Sequence, residues 1–417
     1  MSFKKWRTVT IDQSPIEIID GDRGHNYPKQ EEFYENEYCL FLNTSNVTPQ
    51  GFNFEKTSFV TKEKDQVLRK GKLKRDDIVL TTRGTVGNVA YYDENVLYDN
   101  IRINSGMVIF RNSKPGEISS QYFYQFLRSA LFRSQVESHS SGSAQPQLPI
   151  KDLKSIELPL PPLPTQSRIA AILSAFDDKI ELNRQTNATL EAISQAIFKE
   201  WFVDFCFPGN TGEMEDSRLG LIPKGWKVGK IKNFTKTIQY GLTQSASGEK
   251  VGPRFLRITD IQNGRINWDS VPYCPVDDKN WKKYRIEDYD IFIARTGAST
   301  GENVLVVNPP QAVFASYLIR IQFAQPELSV FIGKLLRSRQ YFEFIDSIKS
   351  GSAQPNANAQ QLTDFDIVLP SSDLLQTYYQ NVVQIEELKA GNETQSANLA
   401  QIRDTLLPKL MSGEIEV

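Results

Sequence analysis

The chain has 417 residues, with 48 Lys and Arg, 50 Asp and Glu, and a formal net charge of −2. A hydrophobic content of 40% and a charged content of 24% are typical of a folded globular protein and exclude a disordered or collagenous chain. At about 100–200 residues per domain, this length predicts two to four domains. No apolar run approaches the ~18 residues of a membrane span, and we expect no signal peptide because no apolar stretch follows the basic residues of the N-terminus. Three scattered cysteines favour a reducing cytoplasm, where we expect the protein to act.

In chain order, the sequence alternates between two kinds of segment. Residues 1–155 are rich in aromatic and β-branched residues broken by Gly, Asn and Asp, and they predict a first α/β domain. Residues 156–210 begin with prolines and continue with the apolar spacing of a long helix. Residues 211–365 predict a second α/β domain. Residues 366–417 predict a second long helix, which we expect to end near Pro408.

The two α/β segments are copies of one plan. The sequence Ser-Gly-Ser-Ala-Gln-Pro occurs at 141–146 and again at 350–355, an offset of 209 residues. A second block precedes it, in which Asp77-Ile78 corresponds to Asp290-Ile291 at an offset of 213. Matches at a nearly constant spacing in separate blocks indicate an internal duplication.

Both helical segments carry an apolar stripe that needs a partner. In the second helix a heptad spacing of 4, 3, 4, 3 and 4 joins Leu388, Asn392, Gln395, Leu399, Ile402 and Leu406. In the first helix Asn183 and Thr186 occupy the positions that match the two polar members. The spacing predicts that the two helices pair with each other, with the polar residues fixing their register. The alternative is that each helix packs on its own globular domain.

Charge is distributed unevenly along the chain. Residues 1–150 carry a net charge of +1 and residues 211–360 carry +5, whereas residues 151–210 carry −2 and residues 361–417 carry −6. The globular parts are therefore basic and the helical parts acidic, which the overall charge of −2 conceals.

Basic clusters lie just before the matched Asp-Ile strand of each copy, and an arginine lies in the glycine-containing turn that follows it. Lysine clusters suit the phosphates of nucleic acid, and arginine suits a guanine edge or a phosphate. The candidate DNA-binding residues are Lys70, Lys72, Thr82, Arg83, Lys282, Lys283, Arg285, Arg295, Thr296 and Ser299. The alternative is that these charges are merely a solvated surface.

The sequence offers few residues that could bind a metal ion or catalyse a reaction. Two isolated histidines and no cysteine pair exclude a His/Cys metal site, and no phosphate-binding loop with its lysine is present. Asn308-Pro309-Pro310-Gln311 resembles an amino-methyltransferase motif, but Gln311 replaces the aromatic residue that would hold a flipped base, so a turn is the better interpretation. We expect a binding protein with no catalytic residues and no metal.

Three stretches resemble a known family, the specificity (S) subunits of type I DNA restriction-modification systems. The proline-rich stretch and helix from Leu158 to Phe205 resemble its central conserved region, and residues 406–415 resemble its distal one. Residues 222–226, Ile-Pro-Lys-Gly-Trp, resemble the usual opening of a target recognition domain. The first copy retains only Trp6 of that opening.

The resemblance implies an α+β fold in which two α/β target recognition domains are separated by two long helices that form an antiparallel coiled coil, with an internal pseudo-two-fold repeat. Each domain would read one half of a bipartite site in double-stranded DNA. Two methyltransferase subunits would dock on the helices, and restriction subunits would join through them. S-adenosylmethionine, ATP and Mg²⁺ would belong to those subunits, and this chain would hold no cofactor.

Two other functions remain open on the sequence. A duplicated protein–protein scaffold would share the repeat and the helices without binding DNA. A self-contained methyltransferase or nuclease would need cofactor motifs that the sequence lacks.

Overall fold

The computed structural model describes residues 6–139, 147–349 and 357–417, so both copies of the Ser-Gly-Ser-Ala-Gln-Pro sequence lie outside the described residues. The chain forms two compact units: unit 1 comprises residues 1–179 and 398–417, and unit 2 comprises residues 180–397. Each predicted helical segment is therefore shared between the units, because different stretches of each long helix pack against different domains.

Unit 1 contains one α/β domain. Its strands are β1 (Arg7–Thr10), β2 (Ile16–Asp20), β3 (Cys39–Leu42), β4 (Val47–Thr48), β5 (Gly51–Phe52), β6 (Phe59–Val60), β7 (Ile78–Thr81), β8 (Val89–Tyr91), β9 (Ile101–Ile103), β10 (Met107–Asn112) and β11 (Glu157–Leu160). Its helices are α1 (Lys62–Val67), α2 (Ser120–Arg128), α3 (Ala130–His139), α4 (Ile150–Ser155) and the first part of α5 (Leu163–Phe202). An antiparallel sheet has the order β2-β10-β7-β8, and a second sheet has the order β6-β3-β9, with β3 parallel to β9.

Unit 2 repeats this plan. Its strands are β12 (Met214–Ser217), β13 (Gly220–Pro223), β14 (Lys227–Lys230), β15 (Thr237–Tyr240), β16 (Arg254–Leu256), β17 (Ile261–Gln262), β18 (Arg265–Ile266), β19 (Ile291–Ala294), β20 (Asn303–Leu305), β21 (Ala312–Phe314), β22 (Leu318–Gln322) and β23 (Asp366–Leu369). Its helices are α6 (Ile231–Phe234), α7 (Asp278–Tyr284), α8 (Pro326–Leu335), α9 (Arg339–Lys349), α10 (Ala359–Leu362) and most of α11 (Ser372–Ser412). The sheet order β15-β22-β19-β20 and the parallel pair β16–β21 match unit 1 strand for strand.

The matched Asp-Ile sequence anchors the central strand of each sheet. Asp77 is buried, accepts a hydrogen bond of 2.7 Å from the Lys74 N–H and pairs with Arg111 at 2.6 Å. Asp290 is equally buried and repeats both contacts, accepting from the Glu287 N–H at 2.9 Å and pairing with Arg320 at 3.4 Å. A buried carboxylate needs such partners, which explains why the sequence repeats here.

In each unit a glycine follows the edge strand of the four-stranded sheet: Gly21 follows β2, and Gly241 follows β15. A Cβ at Gly21 would collide with the Asn104 carbonyl, and a Cβ at Gly241 would collide with the Ala315 carbonyl. The backbones approach each other so closely that only glycine fits. The duplication predicted from the sequence is therefore also present in three dimensions.

The two long helices pair in antiparallel fashion within each unit. In unit 2 the Asn183 Nδ2 donates to Gln395 Oε1 at 2.9 Å, and further along α5 Asn187 Oδ1 accepts from Asn392 Nδ2 at 2.8 Å. In unit 1 Asp177 pairs with Arg403 at 2.5 Å. The helix pairing predicted from the sequence is confirmed, and each helix also contributes to the core of a domain.

Two details of the helical prediction are wrong. The sequence predicts Leu388 and Ile402 in the seam, but both are exposed. The contact with α5 instead involves Glu386, which accepts from the Ser194 hydroxyl at 3.4 Å, together with the predicted Asn392, which donates to Asn187. Helix α11 continues through Pro408 to Ser412, since Leu410 and Met411 are buried in the core of unit 1 and hold its last turn. Among the helices of the described residues, none has both the length and the apolar character of a membrane span.

Candidate nucleic-acid interface

In unit 1 two of the candidate residues, Thr82 and Arg83, lie at the turn after strand β7. The chain reverses with Gly84 at φ +72°, a left-handed conformation that favours glycine, and the Thr82 N–H donates to the Gly106 carbonyl at 2.8 Å. Arg83 is exposed at this turn. Thr82 is a correction to the sequence prediction: its side chain is only 5% exposed and its hydroxyl donates to Gly106 O at 3.1 Å, which leaves no surface for DNA to contact.

In unit 2 the equivalent turn follows β19. The Arg295 N–H donates to the Tyr317 carbonyl at 3.1 Å, and Gly297 has φ +70°. Thr296 and Ser299 are half-buried in the short turn that contains this glycine. Three half-buried polar side chains therefore lie together at the end of β19, and their contact with DNA stays a prediction.

The guanidinium of Arg295 lies between two tyrosine rings. Its centre is 5.1 Å from the ring centroid of Tyr240 and 6.0 Å from that of Tyr317, and its Nε donates to the Ser316 carbonyl at 3.2 Å. Stacking on aromatic faces restricts the plane of an arginine. Sequence reasoning missed both tyrosines. They are 77 residues apart in the chain, and only the pairing of β15 with β22 brings them together.

The basic cluster of unit 1 divides into exposed and internally paired residues. Lys70 is exposed after α1. Lys72 lies 2.5 Å from the buried carboxylate of Asp65, which also pairs with Arg102 at 2.5 Å. Burial alone would raise the pKa of Asp65, but these two cations outweigh it and lower that pKa. The charge of Lys72 therefore stabilises a buried anion, while its side chain remains 39% exposed, and a phosphate contact by Lys72 stays a prediction.

The basic cluster of unit 2 lies on and just after α7. Lys282 and Lys283 are exposed in its last turn, and Arg285 is exposed but pairs with Glu287 at 2.8 Å. Gln239, the neighbour of Tyr240 on β15, donates to the Lys283 carbonyl at 3.3 Å. Strand β15 thus contacts helix α7 through Gln239 and also carries Tyr240, one of the two rings beside Arg295.

The residues at these turns offer hydrogen-bond donors and positive charge. No group of three or more His, Cys, Asp and Glu side chains that could hold a metal ion occurs in the described part of the chain. Asn308 of the Asn-Pro-Pro-Gln sequence lies at φ +51° and its N–H donates to Asp288 Oδ1 at 2.5 Å, as expected of a turn. The arrangement is suited to binding an anionic polymer such as DNA.

Comparison with known proteins identifies relatives along nearly the whole chain. The family described as type I restriction modification DNA specificity domain matches residues 4–192. The type I restriction enzyme MjaIX specificity subunit of Methanocaldococcus jannaschii is 29% identical over 346 residues, covering 82% of this chain and 78% of the relative. The type I restriction enzyme HindI specificity subunit of Haemophilus influenzae is 25% identical over 472 residues, covering 95% of this chain and 98% of the relative.

A solved structure shares the fold. The S subunit of a type I restriction-modification system from M. genitalium superposes with a TM-score of 0.55 at 17% identity, covering 98% of this chain and 97% of that one. The family match, the two relatives and the resemblance in the central helical region agree with one another. The chain is therefore similar, along most of its length, to specificity subunits of type I restriction-modification systems, and its residues 4–192 match the DNA specificity domain of that family.

Proposed function

We propose that this chain is the DNA sequence-recognition subunit of a type I restriction-modification complex, in which each α/β domain reads one half of a bipartite site. The observation that carries the proposal is the repeated strand-end turn. Both units build it with the same backbone hydrogen bonds, yet they equip it with different polar side chains. A duplicated reader with variable side chains suits a target made of two different halves.

Charge supports DNA as the ligand of both domains. The α/β segments are positive by +1 and +5, while the helical segments are negative. Exposed Lys70, Lys282 and Lys283 lie close in sequence to the turns and supply phosphate contacts that position a reader without specifying sequence. The acidic helices suit a protein partner better than they suit DNA.

The helices carry a duplicated apolar surface for the methyltransferase subunits. Ile193 and Ile402 are 209 residues apart, the offset of the repeat, and are 44% and 47% exposed. Leu182 and Leu388 add further exposed apolar side chains to the same helices. Large apolar side chains exposed at matched positions of the repeat suit two copies of one protein partner.

Catalysis belongs to the partners in this proposal. The methyltransferase subunits would bring S-adenosylmethionine, and the restriction subunits, joining through the methyltransferase core, would bring ATP and Mg²⁺. This chain would contribute sequence recognition alone, acting in the cytoplasm on the cell's DNA.

A gel-shift with pooled genomic fragments tests the DNA-binding part. We expect the chain with its methyltransferase subunits to retain a sequence-defined subset of fragments, with affinity that falls as salt rises. A protein–protein scaffold predicts instead that the complex forms and retains no DNA, and that outcome would refute the proposal.

The number of methyltransferase subunits bound to this chain tests the proposed docking surface on the helices. Ile193→Lys should lower the number of bound methyltransferase subunits from two to one, and Ile193→Lys with Ile402→Lys should abolish binding, as measured by native mass spectrometry. Leu97→Lys is the matched control, because Leu97 is a 92%-exposed apolar residue in the segment between β8 and β9 and not on a long helix. Two subunits retained by the double variant would refute this surface.

A further inference from the structure

The strand-end turns share a backbone framework that extends beyond the turn itself. In unit 1 the Leu148 N–H donates to the Thr82 carbonyl at 3.0 Å, and in unit 2 the Ala357 N–H donates to the Arg295 carbonyl at 2.9 Å. Thr82 and Arg295 therefore hold the same position in the two copies. The register of the sheets extends the equivalence, because β10 pairs with β2 as β22 pairs with β15.

The side chains on this common framework are different. The residues at the three equivalent positions are Asp20, Thr82 and Gly106 in unit 1, and Tyr240, Arg295 and Tyr317 in unit 2. Unit 1 thus has a small or buried residue at two of the three positions. Unit 2 places an arginine between two aromatic rings there.

The two rings lie on the surface of the molecule. Tyr240 is 43% exposed and Tyr317 is 55% exposed, an unusual exposure for two large side chains beside one arginine. The Tyr240 hydroxyl accepts a hydrogen bond of 3.0 Å from the Ala359 N–H, which fixes the position of its ring. Stacked guanidinium groups keep a defined plane, and a planar guanidinium recognises the O6 and N7 edge of guanine.

We propose that Tyr240, Arg295 and Tyr317 form a guanine-recognition site at the strand-end turn of unit 2, in which the two rings position the guanidinium. This proposal rests on the proposed function and deepens it. The half-site read by unit 2 then contains a guanine at a defined position. The half-site read by unit 1 has no arginine-read guanine at the equivalent position, because that position carries the buried Thr82.

Another arginine–tyrosine stack in unit 2 provides a matched control. Arg254 lies 4.9 Å from the ring centroid of Tyr273, and its Nη1 donates to the Asp269 and Val271 carbonyls at 2.9 and 2.8 Å. The guanidinium thereby joins strand β16, which carries Arg254, to the backbone at residues 269–271. Removing the ring of Tyr273 should therefore affect stability and leave sequence preference unchanged.

The experiment selects bipartite sites from a degenerate DNA library with the chain bound to its methyltransferase subunits. We expect Tyr317→Ala, Tyr240→Leu and Arg295→Ala to lose, on the order of tenfold, the preference for guanine at one and the same position of one half-site. Tyr240→Phe keeps the ring but loses the hydroxyl that accepts from Ala359, so it should lose less of the preference than Tyr240→Leu. Melting temperatures of all variants identify any that fail to fold.

The outcomes separate this proposal from the proposed function. If the wild-type complex selects a bipartite site and the ring variants keep every base preference, or lose preference equally in both half-sites, the recognition site is refuted and the proposed function stands. If Tyr273→Ala relaxes the same position, the specific role of the Tyr240 and Tyr317 rings is refuted. If the wild-type complex selects no bipartite site, the proposed function itself fails.

Discussion

Four charged side chains in unit 2 join its α/β domain to the long helices. Lys334 of α8 lies 2.8 Å from Glu191 of α5 and 2.7 Å from Glu386 of α11. Lys389 of α11 contacts the same two carboxylates, lying 2.9 Å from Glu386. The side chains of Lys334 and Glu386 are 6% and 9% exposed, so the cluster is largely buried and its two positive and two negative charges cancel.

Lys334→Met would leave two carboxylates facing one lysine in a site with little water. Removing one member of a buried ion pair costs about 3–5 kcal/mol, because the remaining charge is uncompensated. The Glu191 side chain is 32% exposed, which lets water reach part of the cluster, so we expect a loss of about 3 kcal/mol in the free energy of unfolding. The double variant Lys334→Met with Glu386→Gln restores the balance of charge. It should therefore be more stable than the sum of the single effects, by about 1–3 kcal/mol.

Denaturation followed by tryptophan fluorescence measures this effect in unit 2, because four of the five tryptophans lie in residues 180–397. Arg339→Met is the matched control, since Arg339 forms an exposed pair with Glu343 at 2.7 Å on the same domain. The control should change the free energy of unfolding by about 0.5 kcal/mol or less. A Lys334→Met variant no less stable than this control, or a double variant equal to the sum, would refute the reasoning.

Three further predictions concern backbone packing, pH and salt. Gly241→Ala should destabilise unit 2 by more than about 1 kcal/mol in the same denaturation assay, because its Cβ would collide with a carbonyl. Burial raises the pKa of Asp177, but Arg128 and Arg403 outweigh it and lower that pKa. The stability that Asp177 provides is therefore present at pH values above 3.8, its ordinary pKa, and is lost as the pH falls through the lowered pKa. Asp177→Asn should have a smaller free energy of unfolding than wild type at pH 7, and the two values should converge in acid. Lys283→Ala should reduce the salt dependence of DNA binding by about one counterion at every sequence, measured by titration at several salt concentrations.

The duplicated architecture could be predicted from the sequence because local requirements recur in both copies. A buried aspartate before a central strand needs the same partners each time, so Asp77 and Asp290 were visible as a repeat. The long helices were visible because an apolar stripe of helical period extends for many turns. The exact residues of their contact could not be predicted. A residue such as Glu386 is buried because Lys334 of α8 supplies a compensating charge, and the sequence of the long helix does not show this.

The site was predicted less completely, because its composition depends on sheet register and burial. A threonine after a strand looks the same in sequence whether it faces solvent or, like Thr82, a neighbouring carbonyl. Tyr240 and Tyr317 become neighbours of Arg295 only through the pairing of β15 with β22, for which a single sequence contains no local signal. The arginine itself could be named because it follows a matched strand and precedes a matched glycine.

Methylome sequencing shows whether this chain determines which DNA sequence is methylated. The chain would be expressed with its methyltransferase subunits in a host that lacks other modification enzymes. We expect methylation at one bipartite motif that disappears when this chain is omitted, and we expect the motif of the Arg295→Ala variant to be relaxed in one half only. Methylation of the same motif without this chain, or of a continuous motif with no gap, would contradict it.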